Sequence, residues 1–383
     1  MQLSYGPGGT GADAVARLYD ALEARLARRL GELQDGECSE VPLLMATDGA
    51  EFEASRGRIT QPLDGVDVII RTSGSTDGHG RLVGLSWDAL VASARATLTR
   101  LGGPGQWVTS LPVHGVAGFQ VVLRSVLAGV RPVVFAPGGG FDAALFARCA
   151  AALDPGVRHY LSLVPTQLHR ALDAAPRALA GFDAVLVGGA ALAPGLAARA
   201  TDAGVRIVTS YGATETCGGC VYDGVPLDGV EIELIDGLIH LAGPTLATRY
   251  LDTAEQPFVI RDGRRLLATH DLGAWRGQGR LIVRGRADDV IISGGVNVNP
   301  HEVEAALAVL GGEWVVVGVP DDEWGQRVVA VGTASATPAE VRAATAQLPP
   351  AARPRGVVHV GALPVGRTGK VDRRAVAGLA AQG

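Results

Sequence analysis

Aromatic residues are scarce in this chain: Phe, Trp and Tyr make up 5% of its 383 residues. With 47% of the chain hydrophobic, the core must be built from Ala, Val and Leu. Basic blocks are missing too and the formal charge is −5, which excludes nucleic acid as an expected partner. No uncharged apolar run of about 18 residues occurs, so no membrane-spanning helix and no stable membrane insertion are expected. The opening stretch MQLSYGPGGTGADAVARLYD has neither the basic nor the apolar segment of a secretory signal. The expectation is a cytoplasmic protein. Cysteine is thin as well, at Cys38, Cys149, Cys217 and Cys220. Cys217-Gly-Gly-Cys220 has the spacing of a redox dithiol or half a zinc site. Zinc needs a second ligand pair, and no matching CxxC or nearby His pair exists. A redox dithiol normally opens a helix, whereas Val221-Tyr-Asp-Gly224 reads as strand and turn. Two small pocket-lining residues is the favoured reading.

What the chain does have is alternation. Residues 11–34 carry apolar positions at helical spacing (Ala14, Val15, Leu18, Leu22, Leu26, Leu30), which predicts an opening amphipathic helix. Residues 66–70 read as a strand, and Ser86 as the N-cap of a helix that follows. Strand-like and helix-like segments then alternate through helices at 119–128 and 167–179 to a strand at 205–209. That order predicts an α/β fold with a largely parallel sheet. After residue 229 short strands with turn signals predict a smaller β-rich subdomain. Residues 290–383 read as a compact α+β unit with helices at 300–310 and 338–347. We place the domain boundary at Asp288, giving an N-terminal domain 1–287 and a small C-terminal domain 288–383.

The stretch Ser210 to Gly229 organises the rest. A β-branched run (Val205 to Val208) breaks into a loop bearing Tyr211, Thr214 and Glu215, with Gly212, Gly218 and Gly219 allowing close backbone approach. A hydroxyl, a carboxylate and glycines at a strand end suit phosphate and a divalent cation; a plain polar turn is the bland alternative. Thr72-Ser73-Gly74-Ser75-Thr76 is a second such loop, able to wrap phosphate oxygens with hydroxyls and N–H groups. It is no Walker A, because no Gly-Lys-Ser/Thr follows at the required spacing. Gly188-Gly189-Ala190 sits at another strand end, where a tight strand-to-helix turn explains it equally well. Asp271, just past a strand and flanked by small residues, is placed to accept from ribose hydroxyls or to stabilise a turn. Lys370, in Gly366-Arg-Thr-Gly-Lys370, would ordinarily be a solvated charge.

Taken in order, TSGST, GGA, YGATE, THD, GRADDVIISGG and GRTGK resemble the adenylate-forming superfamily of acyl- and aryl-CoA synthetases over roughly residues 66–374. Cys217 to Gly229, Leu101 to Trp107 and Gly118 to Gly129 resemble the actinobacterial o-succinylbenzoate–CoA ligases of menaquinone biosynthesis. The resemblance implies a large N-terminal α/β domain with a β-rich subdomain, plus a small mobile C-terminal α+β domain. It also implies an ATP- and Mg²⁺-dependent reaction that makes an acyl-adenylate and then a coenzyme A thioester, by a monomer or homodimer acting on a small carboxylic acid.

Residue by residue, the resemblance gives Thr72, Ser73, Gly74, Ser75 and Thr76 to the β- and γ-phosphates, Thr214 to the α-phosphate and Glu215 to Mg²⁺. Tyr211, Gly212 and Gly188-Gly189-Ala190 fall to adenine, Asp271 to ribose, and Arg286 to the ribose or phosphate side. Lys370 matches the catalytic lysine that bridges the attacking carboxylate and the α-phosphate. Asp288 matches the hinge, and Gly294 and Gly295 the coenzyme A tunnel. For the acyl pocket, Arg124 is the candidate partner of a substrate carboxylate, set against an arginine that merely snorkels from its helix; Gly218 and Gly219 line the same pocket. Two departures stand out. The phosphate loop continues Asp77-Gly-His-Gly-Arg81, with Arg81 in place of the usual lysine. His114 lies one position from the family's histidine beside the acyl pocket. Another aryl- or acyl-CoA ligase, or a catalytically silent nucleotide-binding homologue, are the competing readings.

Overall fold

The computed structural model describes residues 2–29, 41–72, 80–138, 141–366 and 371–382. The chain forms two compact units. One comprises Met1–Leu192, Arg199–Ile232 and Leu241–Ala268; the other comprises Ala193–Ala198, Glu233–His240 and Thr269–Gly383.

The larger unit holds two sheets. In one, Ser4–Pro7, Leu43–Ala46 and Val68–Arg71 run parallel, Leu82–Leu85 returns antiparallel, and Arg249–Tyr250 adds an edge. The other has seven strands. Gly105–Thr109, Val133–Val134, Arg158–Leu163, Ala184–Gly188 and Ile207–Ala213 are mutually parallel, and Gly218–Tyr222 and Val225–Pro226 return antiparallel. The expected α/β class and parallel sheet are what forms.

Helices pack between these layers for reasons written in the chain. The opening helix runs Ala12–Arg29 and buries Leu18 and Leu22, the 3.6-residue stripe of its sequence. Trp87–Leu101 starts where expected, with the Ser86 side chain accepting from Ala89 N at 3.2 Å, a cap worth about 1 kcal/mol. It ends at Gly102 in the left-handed region. Val116–Ala128 begins three residues before the expected 119, because extended Gly115 is its N-cap. The expected single helix 167–179 is two, Pro165–Ala174 and Pro176–Leu179, since Pro176 supplies no N–H to continue the first. Leu18, Leu22, Ile70, Leu85, Trp87, Phe119 and Val122 meet in one core. Aliphatic residues dominate it, as the composition demands.

The smaller unit has a sheet of Val296–Val298, Ile291–Ser293, Gly325–Gly332 and Trp314–Asp321, with Gly356–His359 parallel to Gly325–Gly332. Helices Pro300–Leu307 and Pro338–Ala344 cover one face through Val303, Leu307 and Val341, and Arg373–Gln382 covers the other through Val376 and Ala380. Among the described residues no helix is long and apolar enough to cross a membrane.

Candidate active site

Two neighbouring parallel strands that end in candidate residues, Ala184–Gly188 and Ile207–Ala213, run in the same direction. In a parallel sheet the carboxyl edge is where loops open a crevice. Gly188 ends one strand and is in register with Ser210 on the next, which continues to Ala213. Gly188, Gly189, Tyr211 and Gly212 are therefore brought to one edge, with Gly189 at φ +85°. Two of the glycines are needed for the chain itself. A Cβ on Gly212 would lie 2.2 Å from Gly218 O, and one on Gly219 would lie 2.0 Å from Ser210 Oγ. These two glycines face each other across the antiparallel pair.

Thr214 and Glu215 occupy a single 3₁₀ turn, Thr214–Thr216. Buried Thr216 locks it: its hydroxyl accepts from Ala213 N at 2.9 Å and lies 2.7 Å from Gly218 O as donor. Ala247 N donates to Glu215 O at 2.8 Å. The Glu215 carboxylate is half-buried and accepts from Tyr250 Oη at 2.7 Å. Burial first, and then the Glu215 charge, push the Tyr250 phenol far above its ordinary range, with Arg81 opposing.

That contact ties Glu215 to the phosphate-loop candidate. Val68–Arg71 and Leu82–Leu85 are the arms of a hairpin, and Tyr250 pairs with Val83 on the second arm. The hairpin's base is closed by Thr72 N donating to Arg81 O at 2.9 Å and Arg81 N donating to Thr72 Oγ1 at 2.8 Å. Two ion pairs brace the arms. Arg71 binds Glu51, and Arg58 binds both Gly80 O and the buried carboxylate of Asp252, which also accepts from Leu82 N at 3.1 Å. Ser73, Gly74, Ser75 and Thr76 lie outside the described residues, as does Lys370. Thr72, Arg81, Glu215 and Tyr250 are the part of this site that the chain assembles in view.

Of the acyl-pocket candidates, Arg124 lies on the helix Val116–Ala128. Arg124 is 4% exposed, far too buried for a snorkelling side chain. Its Nε donates to Gln120 O at 2.8 Å and its guanidinium lies 4.2 Å from the Trp107 ring centre. Among the described residues its Nη1 has no hydrogen-bond partner, and neither do the buried Gln120 Oε1, Trp107 Nε1 and Thr109 Oγ1. Burial pulls the Arg124 pKa down, with only the Tyr222 phenol opposing. Unpaired buried donors and acceptors beside an unneutralised guanidinium are costly unless something else satisfies them. Gly218 approaches Gln120, its missing Cβ being 3.5 Å from Gln120 Cγ. His114 Nδ1 accepts from Gly9 N at 3.2 Å in the turn after the first strand. Cys217 and Cys220 are fully buried; burial raises both thiols, Cys220 to about 12.

In the smaller unit Asp271 and Arg286 are register partners, with carboxylate and guanidinium 3.6 Å apart. Arg286 also grips Asp288 through two hydrogen bonds of 2.7 Å. Burial pushes the Asp288 carboxyl up, yet these bonds and the Arg286 charge outweigh it and hold the pKa below the usual range. Gly294 is at φ +58° beneath the Trp324 ring, and Gly295 at φ +77° is exposed.

Mg²⁺ is usually held by one or two carboxylates together with substrate phosphates, not by a dedicated protein cage. A lone Glu215 fits that donor set, and no group of three potential ligands gathers among the described residues.

Tyr250, Arg58, Asp252, Gln120 and Trp107 were not singled out from the sequence. Only an unexplained tyrosine–acid pair in Arg249-Tyr-Leu-Asp252 could have hinted at any of them.

This fold is that of the adenylate-forming enzymes, which activate acids with nucleotide. Residues 15–251 match the AMP-binding enzyme family and residues 302–370 its C-terminal domain, so the chain belongs to that family. It is 42% identical to the probable 2-succinylbenzoate–CoA ligase of Mycobacterium tuberculosis, over 82% of this chain and 84% of that one. With the 2-succinylbenzoate–CoA ligase of Escherichia coli it shares 31% identity over 82% of this chain and 68% of that one. The o-succinylbenzoate CoA synthetase of Bacillus subtilis, solved in complex with the acyl-adenylate intermediate, has the same fold. The TM-score is 0.73 at 24% identity, covering 87% of this chain and 77% of that one.

Proposed function

We propose that this chain is an ATP-dependent o-succinylbenzoate–CoA ligase of the cytoplasm. In the first half-reaction a substrate carboxylate oxygen attacks the α-phosphorus of ATP, and the bond to the β-phosphate bridging oxygen breaks to release pyrophosphate. In the second, the sulfur of coenzyme A attacks the acyl carbon, AMP leaves, and the thiol proton passes to solvent. The difficulty is bringing an anion onto a highly charged nucleotide, which oriented donors and cations must offset.

Thr72 to Thr76, with Arg81, would hold the outer phosphates. Thr214 would donate to the α-phosphate, and Glu215 would hold Mg²⁺, which when bound neutralises charge on the phosphate oxygens. Tyr211, Gly212 and Gly188-Gly189-Ala190 would flank adenine, and Asp271 with Arg286 the ribose. Lys370 would bridge the two reacting anions. Rotation at Asp288 would bring Gly294 and Gly295 to the pantetheine arm between half-reactions.

The observation that carries the choice of acid is Arg124. o-Succinylbenzoate keeps its aromatic carboxylate while the succinyl one reacts, and a buried guanidinium with an unpartnered nitrogen suits that spectator anion. His114, Gly218 and Gly219 would complete the pocket. The M. tuberculosis and E. coli relatives carry the same activity in their names, which supports the reading.

The test is pyrophosphate release with ATP, Mg²⁺ and o-succinylbenzoate, against benzoate and octanoate. Release should depend on the first acid and fall on the order of 10²–10³-fold in Lys370→Ala. Release only with other acids would keep the chemistry and discard the substrate. No release with any acid, from a folded ATP-binding protein, would sink both.

A further inference from the structure

Tyr250 stands where three charged groups converge. It lies beside the hairpin arm through its register partner Val83, and its hydroxyl donates to Glu215 Oε1 at 2.7 Å. Arg81, which closes the hairpin loop, and Asp252, which braces it, both act electrostatically on the same phenol. A half-buried glutamate left to itself samples several rotamers and, beside an arginine, pairs with it. A neutral phenol offers an alternative: it holds one carboxylate oxygen without cancelling the charge. The hydroxyl donates through its own O–H, so the contact needs no second charge.

We propose that Tyr250 is the positioning residue for the cation ligand. It holds Glu215 by one oxygen, leaving the other oxygen and the full negative charge for the Mg²⁺ that accompanies ATP. The proposal rests on the reading of Glu215 given above.

Tyr250→Phe removes only the hydroxyl, while the ring keeps its packing against the main core. The readout is ATP binding by titration calorimetry at graded Mg²⁺, with no acid or coenzyme A present. The Mg²⁺ concentration for half-maximal effect should rise about 10-fold, the usual cost of removing a group that orients a metal ligand. ATP binding without Mg²⁺ and the melting temperature should stay near wild type. Glu215→Gln should show at least the same loss, and the double variant should be no worse than Glu215→Gln. Wild-type Mg²⁺ dependence in Tyr250→Phe, with the dependence lost in Glu215→Gln, overturns the positioning role and leaves Glu215 as ligand. Wild-type dependence in Glu215→Gln overturns both. Equal weakening of ATP binding with and without Mg²⁺ marks Tyr250 as structural and also overturns the proposal.

Discussion

A buried guanidinium with no carboxylate beside it is an expensive thing to fold around. Arg124 recovers part of that cost from the Gln120 carbonyl and the Trp107 ring, the latter about 1–2 kcal/mol when desolvated. Nothing in the described protein neutralises the charge, and Nη1 stays unmatched. Replacing buried ionic groups by apolar residues of similar volume is often stabilising by about 1–4 kcal/mol. Arg124→Met should therefore raise the melting temperature by roughly 2–4 °C. It should also lower kcat/KM for o-succinylbenzoate about 100-fold, equivalent to some 3 kcal/mol. ATP binding should be untouched. A lower melting temperature with unchanged kcat/KM would mean that Arg124 serves packing. The cation inventory sharpens the contrast with Lys370, the only lysine in the chain. Every other fixed cation is an arginine, a fork suited to planar anions, so the one compact ammonium is reserved for the motif that would bridge two reacting oxygens.

At the scale of elements, the smaller unit is held by a cluster that the motifs do not mention. Glu304, on the helix Pro300–Leu307, binds Arg373 at 2.5 Å and His301 at 2.8 Å, and accepts from Val316 N at 2.9 Å. Burial raises its carboxyl, but His301, Arg373 and the backbone bond prevail and set the pKa below the ordinary value. A depressed carboxyl contributes stability that is present above its unfolded pKa, about 4.3, and is lost as pH falls through the folded value. Unfolding of this unit should therefore become easier below about pH 4. Glu304→Gln should flatten that acid limb while lowering stability at neutral pH, as denaturant titrations across pH would reveal. An unchanged acid limb would assign the effect to other carboxylates.

The same elements mark how far the sequence could be read. The strand ends at Gly188 and at Tyr211–Gly212 were legible because local chemistry dictates them, and so was the Ser86 cap. The first sheet's strands Ser4–Pro7 and Leu43–Ala46 were not, being four residues long with little β-branching. Tyr250 and Glu215 are 35 positions apart, and Arg58 and Asp252 are 194 apart. No window along the chain contains such pairs; only the folded sheet brings them together.

At the scale of the whole molecule, one guanidinium serves two candidate roles. Arg286 faces Asp271, the proposed ribose group, and grips Asp288, the proposed hinge. Asp288 sits in a 3₁₀ turn, Ala287–Asp289, that leads into the sheet of the smaller unit. If the chain swings there between half-reactions, φ and ψ at this residue must change while the Arg286 fork releases or follows. Proline at 288 would fix φ near −65° and remove the fork's carboxylate in one step. Asp288→Asn is the control, weakening the fork without restricting the backbone. The expected outcome is a split in Asp288→Pro. One half-reaction should persist within a few-fold and the other should fall on the order of 100-fold, by pyrophosphate exchange for adenylation and thioester formation from preformed adenylate for the second step. Asp288→Asn should change the two rates together and by less. Equal loss of both in Asp288→Pro, or the same split in Asp288→Asn, would remove the hinge from position 288 and leave Arg286 acting on the nucleotide alone.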